Sequence, residues 1–148
     1  MPDQPDHRQL AVDLFNHTWE LLEKSQRTQA EIDEMIHSAH ASRYHWGLAG
    51  TALNLARGEW QVSRVYSVLK RSEPALYHGH RSLDICQENG FGDFDLAFAY
   101  EALARATFVG RDSQAATEYL ALAKKAGDKI AEQDDKEYFY TELGTIGL

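Results

Sequence analysis

Tyr100–Ala123 reads YEALARATFVGRDSQAATEYLALA, and the reading of the whole chain turns on it. Tyr100, Leu103 and Ala104 recur at helical spacing, and Gly110 supplies a stop. Asp112 or Ser113 can then cap a second helix that carries Ala115 and Tyr119 and ends near Gly127. Two helices joined by so short a turn must lie antiparallel. The small residues let them approach closely, and the aromatics fill the gap to the next helix.

The same pattern extends outward. A first helix is expected from about His7 to Lys24, with an apolar stripe of Leu10, Val12, Phe15, Trp19 and Leu22. Thr28 and Glu31 form a capping-box pair that opens a second helix to about Trp46, broken by Gly47 and Gly50. A third runs from about Thr51 to Arg71, with Gly58 as a weak point. A fourth starts at Ser72-Glu73-Pro74 and ends at Asn89-Gly90. The fifth is capped by Asp93 or Asp95, and a last short helix opens at Asp134 or Asp135 and carries Tyr138 and Phe139. No segment alternates with a strand's period. The expectation is a single all-α domain of about seven helices: antiparallel pairs over about 7–46, 51–89 and 93–127, with a capping helix over 134–146.

The pairs repeat weakly. When the chain is slid so that Trp60 falls on Tyr100, Lys70–Ala75 falls on Gly110–Ala115. Trp19 precedes Trp60 by one position more than that shift, so an aromatic marks the first helix of three successive pairs. Tyr100-x2-Leu103-Ala104, Gly110, Ala115 and Tyr119 resemble the tetratricopeptide repeat: its aromatic-x2-Leu-small opening, its turn glycine, and its second-helix small and aromatic positions. Departures accompany the match. The span from Tyr100 to Gly110 is one residue short, the period exceeds the family's ~34, Ser63-Arg64 stands where Leu-small belongs, and Gly79 stands where an aromatic belongs. The resemblance implies a short right-handed superhelix of stacked pairs that binds a protein or peptide on its concave face.

Composition narrows the function classes. The net charge of −8 repels phosphate backbones and anionic lipid, so neither nucleic acid nor a membrane surface is an expected partner. Lys70-Arg71 and Lys124-Lys125 are the only basic doublets and read as solvated helix ends. No apolar run approaches the ~18 residues of a spanning helix, and Met1–Asp6 lacks the basic and apolar regions of a secretory signal. Cys86 is the single cysteine, flanked by Leu83 and Ile85; it reads as a core thiol in a reducing, cytoplasmic setting.

No catalytic motif stands out: there is no phosphate loop, nucleophile elbow or zincin pattern. The seven histidines are the conspicuous feature. Asp33, His37 and His40 share one helix face, a spacing that metal ligands can use and that a polar helix face also produces. His78 and His80 point to different sides, with Asp84 pairing with Arg81 or His80. Asp93 and Asp95 read as caps rather than as an acid–base pair with Glu101. Two binding readings follow. The first is a concave groove presenting exposed Arg57, Gln61, Arg64, Glu101 and Arg105 to a protein or peptide, with self-association into a homo-oligomer as a further form of it. The second is a small-ligand or metal site inside the bundle, enzymatic in one version, built from His37, His40, Arg43, Glu59, Arg64 and His78. There Arg43 and Arg64 could clamp a carboxylate or phosphate, or Arg64 could simply pair with Glu59 or Glu101. Neither reading requires a cofactor, and no complete set of metal ligands is assigned.

Overall fold

Four helices, the first, second, sixth and seventh in chain order, begin where a side chain offers the backbone a partner. At the second helix, the Thr28 hydroxyl accepts from the Glu31 N–H at 3.2 Å and the Glu31 carboxylate accepts from the Thr28 N–H at 3.0 Å. Asp112 accepts from Ala115 N–H in the same way at the sixth. The computed structural model describes residues 4–147 and places α1 at His7–Leu22, α2 at Gln29–Ala49, α3 at Ala52–Val68 and α4 at Ser72–Glu88. They are followed by α5 at Asp93–Val109, α6 at Ser113–Gly127 and α7 at Gln133–Leu143, which a 3-10 turn, Gly144–Ile146, extends. Neighbouring helices pack in consecutive pairs, and the described residues contain no strand.

One expected break is absent, and one expected weak point is a packing position instead. α2 passes through Gly47, because an interior glycine costs only ~1 kcal/mol and the buried Trp46 beside it repays more by packing. Gly58 is buried mid-helix in α3, and a Cβ there would lie 3.1 Å from Arg43 Cδ, so this glycine makes room for the Arg43 side chain of α2 rather than being a weak point.

The repeat is more regular than the sequence suggests. One constant step carries Ala52 and Val68, the two ends of α3, onto Asp93 and Val109, the two ends of α5. The same step carries Ser72, where α4 begins, onto Ser113, where α6 begins. The turn after α3 closes with the Arg71 N–H donating to Tyr66 O at 2.8 Å. Its equivalent after α5 closes with the Asp112 N–H donating to Thr107 O at 3.0 Å, and both partners are displaced by that step. Lys70 and Arg111 occupy the left-handed position of these turns, with φ of 60° and 62°. The register anchored on Trp60 and Tyr100 is therefore corrected by one position: Trp60 is the counterpart of Glu101. In the true register buried Val62-Ser63 stands against buried Leu103-Ala104, so the Leu-small position is kept. His78, not Gly79, stands at the place of Tyr119, and Ala75 matches Ala116.

Small residues let hydroxyls stitch the helices together. Ser42 donates to Ala11 O, Ser63 to Ala75 O and Ser82 to Ala56 O, at 2.8, 2.7 and 2.9 Å. The apolar core runs along the array in three clusters centred on Met35, Cys86 and Phe139. The backbones of successive odd-numbered helices approach one another closely, whereas among the described residues those of successive even-numbered helices stay apart and meet only through side chains such as His40 and His78, so the array curves with α1, α3, α5 and α7 on its inner side.

α7, expected as a cap, sits in the repeat register of a fourth first helix, with Phe139 standing one repeat step after Phe98. A buried ion network holds it. Glu101 is fully buried and accepts from Arg105 Nε at 2.7 Å, Arg64 Nη1 at 3.4 Å and Trp60 Nε1 at 3.2 Å. Arg64 also pairs with the Glu142 carboxylate, and Arg105 donates to Glu142 O at 3.0 Å and Thr145 Oγ1 at 2.8 Å. Removing one member of such a network leaves the others buried without compensation. Glu101→Ala is expected to lower the unfolding free energy by about 3–5 kcal/mol in urea titrations. A loss below ~1 kcal/mol would show that Arg64 and Arg105 do not depend on it.

Candidate functional site

The inner side of the curve carries a cleft of about 380 Å³, within the range of ligand-binding pockets. Four helices build it. α1 contributes Phe15 and Trp19, one turn apart, and α3 contributes Ala56, Arg57 and Trp60. α5 contributes Phe94, Asp95 and Phe98, and α7 contributes Asp135 and Tyr138, with Ser82 of α4 behind. The rings contact one another along the wall. Trp19 and Trp60 have centroids 5.5 Å apart, Trp60 meets Phe98 edge-on at 5.5 Å, and Phe98 lies 5.8 Å from Tyr138. Such contacts keep the rings in place while leaving apolar faces toward the cleft.

Polar groups stand among the rings. Arg57 is held bidentately by Asp95, through Nε at 2.8 Å and Nη2 at 3.2 Å. That hydrogen bond is the main reason the Arg57 guanidinium is held above its ordinary pKa, and the charges of Asp95 and Asp135 act in the same direction. Asp95 is therefore an ion-pair partner and not the helix cap expected of it. Asp93 does not cap α5 either, since the cap position is Gly92 and receives no side-chain bond; Asp93 is the first residue of the helix and accepts from the N–H groups of Phe94 and Ala131, tying the start of α5 to the turn before α7.

The expected groove set is corrected on exposure. Of Arg57, Gln61, Arg64, Glu101 and Arg105, Arg57 alone lines the cleft. Gln61 and Glu101 are fully buried, and the Arg64 and Arg105 side chains are each 12% exposed. The physical reason is the contact of odd-numbered helices with each other: the faces expected to look into an open groove meet the next odd helix instead. Gln61 Nε2 donates to Phe15 O at 2.9 Å, and the remaining three belong to the network that docks α7.

The second expected cluster is brought together in part, across α2, α3 and α4. Glu59 accepts from Arg43 Nε at 3.0 Å and from His78 Nδ1 at 2.6 Å. His40 Nε2 shares a hydrogen bond with Tyr66 Oη at 2.8 Å, and the His40 and Tyr66 rings both pack on His78. A carboxylate only accepts, so His78 Nδ1 carries a proton. Arg64 belongs to the other network, and His37 is exposed and joins no hydrogen bond among the described residues. Tyr66, absent from the expected set, completes the chain; the signal for it in the sequence is its place on the same face of the third helix as Glu59. Among the described residues no three His, Cys, Asp or Glu side chains are arranged to hold a metal ion. None of these cluster residues lines the cleft. As built, the cluster's chemistry is that of a buried polar tie between three helices.

Other expectations resolve individually. Cys86 is a buried free thiol pushed up to about 11 by burial and the nearby Asp95 charge. Asp84 pairs with Arg81 at 3.1 Å rather than with His80. No described helix is long and apolar enough to cross a membrane. No family model matches the chain, and no curated protein or solved structure matches it. Function therefore has to be read from the site.

The polar tie makes stability depend on pH. Burial, reinforced by the charge of His78, lowers the His40 pKa below 6.5. Burial opposes ionisation of Glu59, but the hydrogen bond and charge of His78, together with Arg43, hold its carboxyl below 4.5. In both cases the unfolded chain binds protons more readily, so stability falls as pH drops, first below 6.5 through His40 and then below 4.5 through Glu59. The difference in unfolding free energy between wild type and His40→Gln is expected to shrink as pH falls from about 7.5 to about 5.5. A difference that stays constant or grows would contradict the burial of a neutral His40.

Proposed function

We propose that the chain is a helical-repeat binding module of the tetratricopeptide kind that takes a short segment of a protein partner in its inner cleft. The single observation that carries this reading is the aromatic cleft itself. Phe15, Trp19, Trp60, Phe94, Phe98 and Tyr138 come from four successive first helices and leave about 380 Å³ between them. The cleft is open to solvent on the inner side of the array, so its rings leave apolar faces that an occupant can cover. Tyr138 is 45% exposed at the edge of the cleft, an apolar surface that a partner's side chain can cover. The constant step from α3 to α5 supports the solenoid part of the reading, since stacked first helices usually form the recognition face. A reducing, cytoplasmic setting fits the single buried cysteine.

Burying one large side chain in the cleft supplies about 1.5–3 kcal/mol, so a wall residue is worth about tenfold or more in affinity. The test is a pull-down from native cell extract with wild type, Tyr138→Ala, and Tyr77→Ala on the outer helix α4. Tyr77 is 62% exposed and serves as a control of equal size. A partner retained by wild type and by Tyr77→Ala, but lost about tenfold with Tyr138→Ala at unchanged melting temperature, is the expected result. Equal retention by Tyr138→Ala, with loss at Tyr77→Ala, would move the binding face to the outside. Recovery of the chain itself as the cleft-dependent partner would turn the reading into self-association.

A further inference from the structure

The cleft's charge, taken with its rings, specifies what enters it; this inference rests on the peptide-binding reading above and names the chemistry of the anchor. Two carboxylates, Asp95 and Asp135, line the mouth against one guanidinium, Arg57. Asp95 is committed to Arg57 through both oxygens, whereas Asp135 has no hydrogen bond or ion pair among the described residues. Asp135 is exposed at the rim and acts on Arg57 only through its field. Deeper in, the charges of Glu101 and Glu142 are matched by Arg64 and Arg105. The mouth therefore carries one uncompensated negative charge beside a row of aromatic faces.

Aromatic faces attract cations through the negative potential over the ring, and a carboxylate next to them adds to that attraction. This wall already uses the effect once: the Arg64 guanidinium carbon lies 5.7 Å from the Trp60 ring centroid, over the ring. The Arg57 guanidinium, half exposed at the mouth, shows that a second cation is accommodated there. The net charge of −8 draws basic partners toward the surface at long range. We propose that the cleft anchors a basic side chain, lysine or arginine, with the adjoining apolar residue of the same peptide lying against Trp19, Phe94 and Tyr138. The ammonium or guanidinium meets Asp135 and competes with Arg57 for Asp95. Arg57 is then a resident competitor, and it serves an acidic anchor only where Asp95 releases it.

The assignment predicts opposite effects from two exposed, conservative changes in the same mouth. The experiment is selection of a random heptapeptide phage library on the immobilised full chain, followed by affinity measurement of the enriched peptides on wild type, Asp135→Asn, Arg57→Gln and Tyr138→Ala. Circular dichroism melts confirm that each variant folds. Enriched peptides are expected to carry a lysine or arginine next to an apolar residue. They are expected to bind Asp135→Asn about fivefold or more weakly and Arg57→Gln several-fold more tightly, with both effects shrinking as salt rises. Enriched peptides that are acidic or uncharged, yet still depend on Tyr138, would overturn the basic anchor and leave the peptide-binding reading standing. Basic peptides indifferent to both charge changes would do the same. Peptides that bind Tyr138→Ala as well as wild type, or a library that yields no enrichment, would remove the binding reading and this inference together.

Discussion

A carboxylate with no access to solvent has to be matched where it lies, and Glu101 is matched from three directions. Arg105 comes from its own helix, Arg64 and the Trp60 indole come from α3, and through the two arginines the network reaches Glu142 and Thr145 at the end of the chain. Such a network adds little net stability over an apolar core of the same volume, but it tolerates few arrangements of its members. It thereby fixes how α3, α5 and α7 sit against one another, and with them three of the four walls of the cleft. The aromatic contacts alone could slide, because ring packing tolerates a range of offsets.

The helices themselves were legible because capping, turns and periodicity are local. Thr28 and Glu31, Asp112, and the stops near residues 70, 90 and 110 act within a few residues of the chain, and the helix boundaries fall close to them. The repeat register was misread by one position because the eye follows aromatics, and Trp60 pairs by size with Tyr100. The backbone repeats by its turns, and these put Glu101 at that place. Gly47 and Gly58 misled for a related reason. A glycine in sequence suggests a helix end, but tertiary packing decides whether its missing side chain is a break or a space for the neighbouring helix.

The site was less legible. Polar residues on first helices look into open solvent only where the next first helix stands clear, and contact between odd-numbered helices buries most of the expected groove set. Sequence cannot distinguish a buried arginine with two carboxylates from an exposed one, since the partners of Arg64 lie at Glu101 and Glu142, far along the chain. The aromatic wall had a visible signal in the one-turn pairs Phe15/Trp19 and Phe94/Phe98, but such pairs ordinarily fill a core. Whether rings fill a space or line one depends on the curvature of the array, which no local pattern encodes. The Arg43–Glu59–His78 tie was foreseen in composition, because polar residues so placed would have to satisfy each other.

The constant step of the repeat carries one more implication. Positions 19, 60, 101 and 142 are the same place on successive first helices, and they hold Trp, Trp, Glu and Glu. The contacts between successive first helices thus change character along the array, from indole packing at the α1 end to carboxylate–arginine pairing at the α7 end. An array graded in this way has a head and a tail. Its two ends are therefore held by different physics, ring packing at one and charge pairing at the other.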